Sequence, residues 1–491
     1  MILVIGACEI FMNKETVSHK TARTAFWSGI EKAVNMGTQF VVTLILARLL
    51  LPEDYGAIAI LTVFIGVAER MVESGVSNAL IRKMDCSQVD YSTGFYFNLM
   101  MSLGLYCVLF FIAPLISDFY NIPILCNVLR VYGVLVIANA LTLVQYSMLS
   151  KNLEFKKLAK IKSVSVILSG IIGVGCAYYG LGVWALVAQG LSSSVLYAFS
   201  MSLNTRWMPS FVFSKESFRY LWNFGSKMLL TGIIGSLYAN IYSLVIGKVY
   251  DSRSLGLFNR GQYTANVPTG VLESVFIRSS LPILSELQND NQRLVDVYRK
   301  FVVLVAFVSF PICFLLAALA TPFVQVVLTD KWIDSVIYIQ IFAMSAVVAA
   351  PNILNLNLFQ VKGRSDITLK AEIIKKSMGV LVVFLLLPFG PLILAIGASI
   401  FNIVGYSVNL YYAKKLVGIP FVLQLRDMLP CCVSAILASV VVCFFTAITL
   451  PPFIHLFVGG IIGCVIYYCC TKYLYKMEIY NQIFSLIKRR K

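Results

Sequence analysis

Charged side chains are scarce in this sequence. Lysine, arginine, aspartate and glutamate make up only 13% of its 491 residues, whereas soluble domains carry about 25%. Hydrophobic residues account for 59% of the chain. They form recurrent apolar runs of about 18 residues or more, each long enough to cross the hydrocarbon core of a bilayer. The composition therefore excludes an ordinary soluble protein and predicts a polytopic membrane protein of the all-α class.

Residue patterns typical of catalysis and of metal binding are also absent. The chain has only two histidines, His19 and His455, and no C-x-x-C pair among its twelve cysteines, so it shows no zinc pattern. It contains no G-x-x-x-x-G-K-[ST], G-x-S-x-G or H-E-x-x-H motif. The segments between the predicted spans are short. We therefore expect no enzyme activity, no cofactor and no metal, with any transport driven by an ion gradient or by the substrate's own downhill flow.

Fourteen membrane spans are predicted, with both chain ends in the cytoplasm. Most of the 40 lysines and arginines then fall on the cytoplasmic side, for example in the loop SKNLEFKKLAKIKS, as the positive-inside rule requires. The net charge of +17 is therefore explained by topology near anionic lipid rather than by nucleic-acid binding. The spans lie near residues 24–47, 57–77, 94–115, 124–148, 161–179, 183–203, 222–246, 262–285, 301–321, 336–360, 369–388, 391–412, 428–449 and 455–473.

A short pattern occurs twice, 200 residues apart. In LARLLLPEDYGAIAI, Arg48 follows an apolar run and Gly56 stands eight positions later; IGKVYDSRSLGLFNR repeats this order with Lys248 and Gly256. Six spans separate the copies, so both enter the membrane in the same direction, as in transporters built from parallel repeats. This predicts two six-helix bundles around a central cavity, with chance similarity between apolar segments as the alternative. The predicted domains are a cytoplasmic leader (1–23), an N-lobe (24–203), a cytoplasmic linker (204–221), a C-lobe (222–413), two additional helices (428–475) and a basic cytoplasmic tail (476–491).

Ionisable side chains at membrane depth are the candidate functional residues. Each costs about 2.5–3.5 kcal/mol at the centre of a spanning helix, so it is expected to face a partner or a wet cavity. Glu69 and Glu73 stand four residues apart and share one helix face. Snorkelling is the alternative explanation for Lys227 and Arg130, and an interhelical salt bridge is the alternative for Arg70 and Arg278. The candidates are the bases Lys32, Arg70, Arg130, Lys227 and Arg278 and the acids Glu31, Glu69, Glu73 and Glu273. The amides Asn98, Asn139, Gln145, Asn240, Asn355, Asn357, Gln360 and Asn402 are expected to join helices or to line a path wetted by sugar.

The chain also resembles a known family of exporters. The similarity is carried, in order, by ARLLLPEDYG, SGVSNALIRK, NLEFKKLAKIKS, YGLGVWALVAQGL, LGLFNRGQ, LPILSELQNDNQRLVDVYRKF and LTDKW. From about Ala25 to about Lys415 it resembles the Wzx-type flippases, the polysaccharide-export branch of the multidrug/oligosaccharidyl-lipid/polysaccharide exporter superfamily. The resemblance implies a fourteen-helix, two-lobed transporter in the bacterial cytoplasmic membrane. Such a protein moves an undecaprenyl-diphosphate-linked oligosaccharide outward for O-antigen, capsule or exopolysaccharide synthesis.

The resemblance also implies residue roles and partners. Arg48 matches the arginine of the family's first turn, and Arg260 matches the basic residue of the second-half counterpart. Because the implied substrate carries an anionic diphosphate, basic residues are the binding candidates and acidic residues are the candidates for coupling to H⁺ or Na⁺. Arg48 and Arg260 are binding candidates through this match. Arg70, Lys227 and Arg278 are binding candidates because of their charge at membrane depth, and no family motif supports them. The coupling candidates, also taken from their charge, are Glu31, Glu69, Glu73 and Glu273. The expected partners are the lipid-linked oligosaccharide, membrane lipid, and the polymerase and chain-length proteins of the same pathway.

Three other functions remain as alternatives. A cation-coupled multidrug antiporter would use the same scaffold, but such antiporters usually stop at twelve helices and rely on buried acids. A membrane enzyme of the same pathway, a polymerase or a ligase, would need a sizeable outer loop with catalytic arginine, histidine or aspartate, and no predicted loop qualifies. An assembly scaffold without transport has no positive support in the sequence.

Overall fold

The computed structural model describes residues 36–73, 76–83 and 85–475, and all regular structure within these residues is helical. In chain order the first helices are α1 (Met36–Leu49), α2 (Pro52–Glu73), α3 (Val76–Arg82), α4 (Gln88–Tyr120), α5 (Ile124–Tyr132), α6 (Val134–Ala140), α7 (Leu143–Lys151), α8 (Phe155–Tyr178), α9 (Val183–Thr205) and α10 (Lys215–Ala239). They are followed by α11 (Ile241–Val249), α12 (Ser252–Glu286), α13 (Asn291–Ala318), α14 (Ala320–Phe323), α15 (Val336–Val361), α16 (Ser365–Leu386), α17 (Pro391–Val417), α18 (Phe421–Thr446) and α19 (Pro452–Cys469). Short π-helical turns span Val324–Leu328 and Cys470–Leu474, and 3₁₀ turns span Asp330–Ser335 and Leu387–Phe389.

The chain is an all-α polytopic membrane protein, as its composition predicts. Ten helical stretches of the described residues are long and apolar enough to cross a membrane. The number rises to eleven if Gly232–Ala239 and Ile241–Val249, bent by 46°, form one span. α1, α12 and α16 coincide with predicted spans but do not meet the same limits, because the described part of α1 is short and the other two helices carry many polar residues. The count of fourteen spans therefore stays a prediction.

The start of α4 shows how local sequence sets a helix boundary. Ser87 caps the helix, its hydroxyl accepting from the Asp90 backbone N–H while the Asp90 carboxylate accepts from the Ser87 N–H. Asp90 is buried, and its two carboxylate oxygens also accept from Lys83 Nζ, at 2.7 Å each. The hydrogen bond to Asp90 raises the pKa of Lys83. Ser217 at the start of α10 donates to Asp90 at 2.7 Å, so this carboxylate ties the first turns of α4 and α10 together.

The described residues divide into two compact units at Arg260. The first unit ends at Asn259 and contains α1 to α11 with the first turns of α12. Residues 222–259, which the repeat assigns to the C-lobe, therefore pack with the helices that precede them in the chain. The lobe boundaries derived from the repeat stay a prediction.

The second unit is built around α13. Phe301, Val305 and Phe310 of this helix are buried in one large apolar core, to which α15, α17, α18 and α19 also contribute. Buried polar groups join the helices inside this core: Tyr298 Oη donates to Asn355 Oδ1 at 2.6 Å and accepts from Gln424 Nε2 at 2.9 Å. Asn355 is thus one of the amides that the sequence assigns to helix joining, and it does join α13 to α15.

The last two helices are an integral part of the second unit. Gly459 and Gly463 form a G-x-x-x-G pair on α19, and this pair packs against α13 and the residue that follows it. A Cβ added to Gly463 would lie 2.4 Å from Leu315 Cδ2, and one added to Gly459 would lie 3.1 Å from Leu319 Cδ2. Small residues at such positions let helices approach closely in a membrane, and here they serve packing within one chain.

Candidate functional site: a charged cluster at membrane depth

The exposed residues of α2, which form its open face, are polar and lie from the middle of the helix onward. Its exposed residues are Thr62 and Arg70, with the half-buried Gly66 between them at a spacing of four residues. No large apolar side chain is exposed among the described residues from Pro52 to Arg82. Helix α4, by contrast, exposes the bulky apolar residues that lipid requires, among them Met100, Phe111 and Leu115. The open face of α2 therefore suits contact with water rather than with lipid tails.

Arg70 and Glu73 form an ion pair on this face. Arg70 Nη1 donates to Glu73 Oε2 at 2.9 Å, and the two side chains are 58% and 43% exposed. Arg70 lies eighteen residues after the first residue of α2, which places it roughly 27 Å along the helix. Arg70 lies within the candidate membrane span Pro52–Arg82. An exposed charge inside a span is expected to meet water, so a wet passage here stays a prediction. The alternative of an interhelical salt bridge does not describe Arg70, since the partner lies on the same helix.

Glu69 contacts a second group of polar residues. Its carboxylate accepts a hydrogen bond from Asn139 Nδ2 of α6. Lys162 of α8 lies within electrostatic range of Glu69, and its Nζ sits 4.8 Å from the ring centroid of Tyr197 on α9. Glu69 and Glu73 therefore have different partners although they share a helix face. Four elements, α2, α6, α8 and α9, contribute side chains to this part of the cluster.

Helix α10 passes close to the charged face of α2. A Cβ added to Gly232 would lie 4.0 Å from Arg70 Cβ, and one added to Gly66 would lie 3.7 Å from Ser236 Oγ. Small residues on both helices thus keep space beside the arginine. The result is an Arg70 side chain that is flanked by α10 yet open to solvent, a geometry suited to meeting an anionic group.

The other predicted site residues lie elsewhere or outside the described part. Arg48, at the end of α1, is exposed. Arg260 is 4% exposed, and its guanidinium lies 4.9 Å from the centroid of the buried Trp332 ring. Glu273 is half-buried on α12. Glu31 lies outside the described residues, as do the side chains of Lys227 and Arg278. Among the predicted site residues that the structure describes, Glu69, Arg70 and Glu73 come together.

Lys162 is the residue that sequence reasoning missed. It stands at the end of the basic loop SKNLEFKKLAKIKS and was assigned with that loop to topology. It is exposed, two turns inside α8, facing Tyr197 and near Glu69. The signal that could have identified it is its position at the start of the predicted span 161–179. Among the described residues, no group of three or more His, Cys, Asp and Glu is placed to hold a metal ion.

Comparison with known proteins places the cluster in a family context. The family described as "Polysaccharide biosynthesis protein" matches residues 45–337, more than half of the chain. The chain belongs to this family. The match confirms the polysaccharide-export resemblance in the sequence and covers every described residue of the charged cluster.

Two relatives of this polysaccharide biosynthesis family member are similar over much of its length. The succinoglycan biosynthesis transport protein ExoT of Rhizobium meliloti (strain 1021) is 28% identical over 342 residues, which are 68% of each chain. The lipopolysaccharide biosynthesis protein WzxC of Escherichia coli (strain K12) is 23% identical over 431 residues, which are 84% of this chain and 87% of the relative. Both carry names from polysaccharide biosynthesis.

Solved structures show the fold of this family member. The lipid II flippase MurJ in an inward closed conformation has a TM-score of 0.74 at 16% identity, covering 94% of this chain and 99% of that one. An inward-facing multidrug resistance transporter of the MATE family, in the MOP superfamily, has a TM-score of 0.63 at 13% identity, with 85% and 98% covered. The helical transporter fold expected from the resemblance is therefore confirmed.

Proposed function

We propose that the chain is a flippase for a lipid-linked oligosaccharide. It moves a polyprenyl-diphosphate-linked repeat unit from the inner to the outer leaflet of the bacterial cytoplasmic membrane, with both chain termini in the cytoplasm, and so supplies surface polysaccharide synthesis. The observation that carries the proposal is the polar open face of α2 with its exposed Arg70–Glu73 pair at membrane depth. The family membership and the names of the relatives support the substrate class.

The chemistry of such a substrate fits the cluster. An oligosaccharide headgroup is hydrated and its diphosphate is anionic, so the passage must hold water and offer positive charge. Arg70 supplies a planar fork of donors that matches phosphate oxygens, and Lys162 supplies a second cation on α8. Glu73 pairs with Arg70 in the absence of substrate and is displaced when the diphosphate binds. Arg48, Lys227, Arg260 and Arg278 remain candidates for other points along the path.

The cycle we propose is alternating access driven by an ion gradient. Among the four candidate acids Glu31, Glu69, Glu73 and Glu273, we choose Glu69 as the coupling group. It accepts a hydrogen bond from Asn139 and lies near Lys162. Its change of charge would alter the interaction between α2, α6 and α8. The proposed function involves no bond making or breaking by the chain itself. Polymerase and chain-length partners remain an expectation from the family resemblance.

The test is the fate of the repeat unit in a deletion strain. Membrane lipids are extracted, and complete diphosphate-linked repeat units are quantified alongside surface polymer, with wild-type and Arg70→Ala genes supplied in trans at matched membrane levels. The flippase proposal predicts build-up of complete single units and loss of polymer, both reversed by the wild-type gene. Normal repeat-unit levels with altered sensitivity to cationic drugs would instead favour the multidrug antiporter.

A further inference from the structure

The segment between α9 and α10 carries an unusual apolar surface. Residues 206–214 contain Met208 and Phe211, whose side chains are 82% and 98% exposed, and Phe213, which is half exposed. The segment directly follows the candidate membrane span Val183–Thr205. It therefore begins at the end of a membrane-length helix, where hydrocarbon gives way to water.

Polar contacts fix this segment to the first turns of α4. Trp207 Nε1 donates to Gln88 Oε1 at 2.7 Å, and Gln88 Nε2 donates to the Met208 carbonyl oxygen at 2.8 Å. Two further contacts follow along the segment: the Ser210 N–H donates to Ser92 Oγ at 3.0 Å, and the Ser214 N–H donates to Thr93 Oγ1 at 3.1 Å. The backbone is thus held in one place, and the direction in which Met208 and Phe211 project is fixed.

Aromatic rings brace the exposed side chains from behind. Trp207 makes edge-on contacts with Tyr91 and Phe95, at centroid distances of 6.4 and 5.9 Å. Phe211 stacks on Tyr96 at 6.3 Å. Phe211 is nonetheless 98% exposed, so nearly all of its apolar surface is available for contact. Aromatic residues with one apolar and one wet side are enriched at membrane interfaces.

Basic side chains stand at both ends of this exposed apolar segment. Arg206 opens the segment, Lys215 follows it directly, and Arg219 lies one turn into α10; all three are exposed, as is the acid Glu216. We call the surface formed by Met208, Phe211, Phe213, Arg206, Lys215 and Arg219 the interfacial platform. Its combination of inserted rings and flanking cations is complementary to a lipid surface that carries negative headgroups.

We propose that the interfacial platform docks on the bilayer surface and binds anionic phospholipid there. Phe211 and Met208 insert at the level of the headgroups and upper acyl chains, while Arg206, Lys215 and Arg219 contact phosphate. Because the platform is bonded to α4 and lies next to the Asp90–Ser217 contact, docking holds the starts of α4 and α10 at a fixed depth. This interaction does not depend on which substrate the chain carries.

The test measures the depth of position 211. The full-length chain, with its native cysteines replaced, carries Phe211→Cys labelled with an environment-sensitive fluorophore. It is reconstituted into vesicles of phosphatidylcholine with or without phosphatidylglycerol. Nitroxide lipids with the quencher at the headgroup or along the acyl chain report depth. The control labelling site is Asn289→Cys. Asn289 is exposed in the turn between α12 and α13, a turn with few apolar residues.

Lipid docking predicts a blue-shifted emission and strong headgroup-level quenching at position 211, increased by phosphatidylglycerol, with neither effect at position 289. The triple variant Arg206→Glu, Lys215→Glu, Arg219→Glu should lose the phosphatidylglycerol dependence. The control is the triple variant Lys160→Glu, Lys370→Glu, Lys415→Glu, which changes the net charge by the same amount at exposed lysines elsewhere. It should retain the phosphatidylglycerol dependence. A water-exposed label at position 211 in both lipids overturns the proposal. The proposal is also overturned if the label is exposed to water in vesicles but protected from an aqueous quencher in native membranes. In that case a protein partner, rather than lipid, would cover the interfacial platform.

Discussion

Gly56 and Gly256 occupy equivalent positions in the repeated pattern, and each packs against the other copy's turn. A Cβ added to Gly56 would lie 1.8 Å from the Ser252 carbonyl oxygen, and one added to Gly256 would lie 2.0 Å from the Pro52 carbonyl oxygen. Pro52 and Ser252 are themselves 200 residues apart, so the contact is reciprocal. The two copies of the pattern therefore meet each other within the first unit.

This contact predicts a strong effect of adding one methyl group. Gly56→Ala and Gly256→Ala each place a Cβ against backbone that cannot rotate away, so the turns must separate. Overpacking of this kind costs about 1–3 kcal/mol, and we expect a lower melting temperature in detergent and reduced export. Gly104→Ala on α4, where a Cβ would have nothing within 4 Å, is the control and should be neutral or slightly stabilising. If Gly56→Ala and Gly104→Ala had the same melting temperature and the same export, the close contact at Gly56 would be contradicted.

A second pair at the same turns allows the contact to be trapped. Arg253 Nη1 lies 3.5 Å from Glu53 Oε1, and both side chains are about half exposed. With the native cysteines replaced, Glu53→Cys together with Arg253→Cys should be joined efficiently by a short thiol cross-linker. If the proposed cycle separates the two turns, cross-linking should stop export and reduction should restore it. The single variants under the same reagent are the controls, and full export by the cross-linked protein would show that these turns stay together throughout the cycle.

Sequence predicted the architecture better than the site. Long apolar runs and the 200-residue repeat predicted the helical class and the equivalence of the Gly56 and Gly256 turns, because hydropathy and spacing are local properties. Partners across helices are not local. The pairing of Glu69 with Asn139, 70 residues later, depends on how two helices rotate toward each other. Arg260 is a binding candidate through the family resemblance, yet tertiary packing buries it beside Trp332.

Removing the Arg70 side chain should reduce transport without unfolding the protein. Arg70 is largely exposed and its pair with Glu73 lies within one helix, so the pair contributes about 0–1 kcal/mol to stability. Loss of a charge-assisted contact to substrate costs about 1.5–3 kcal/mol, so Arg70→Ala should lower export roughly tenfold or more at normal membrane levels. Arg364→Ala, in an exposed ion pair of the α15–α16 turn, should export normally. Normal export by Arg70→Ala would show that Arg70 does not contact the substrate during transport.

Neutralising Glu69 should separate ion coupling from substrate movement. Glu69→Gln keeps the size of the side chain and an acceptor for Asn139 but removes the negative charge near Lys162. If Glu69 is the coupling group, flipping of lipid-linked substrate in vesicles should no longer respond to an imposed H⁺ or Na⁺ gradient, while slow downhill movement persists. Glu154→Gln, at the exposed start of α8, should respond as wild type does. An unchanged gradient response in Glu69→Gln would assign coupling to another acid.

Two bidentate ion pairs in the second unit differ mainly in burial, and they should differ in their effect on stability. Arg299 of α13 donates to both oxygens of Asp427 on α18, from Nε at 2.7 Å and from Nη2 at 2.8 Å, and Asp427 is largely buried. Arg364 makes the same two contacts to Asp366 at 2.8 and 2.9 Å in an exposed turn, where they hold the pKa of Asp366 at about 2.

Asp427→Asn removes the charge but nearly preserves the shape of the buried pair. It leaves the Arg299 guanidinium with a weaker acceptor at the α13–α18 contact. We expect a loss of about 1–3 kcal/mol and a melting temperature lower by several degrees. Asp366→Asn, fully solvated, should leave the melting temperature within experimental error because water and salt screen that pair. If the two variants have the same melting temperature, the Arg299–Asp427 pair does not hold α18 to α13. Apolar packing, together with the G-x-x-x-G contact of α19, would then provide that attachment alone.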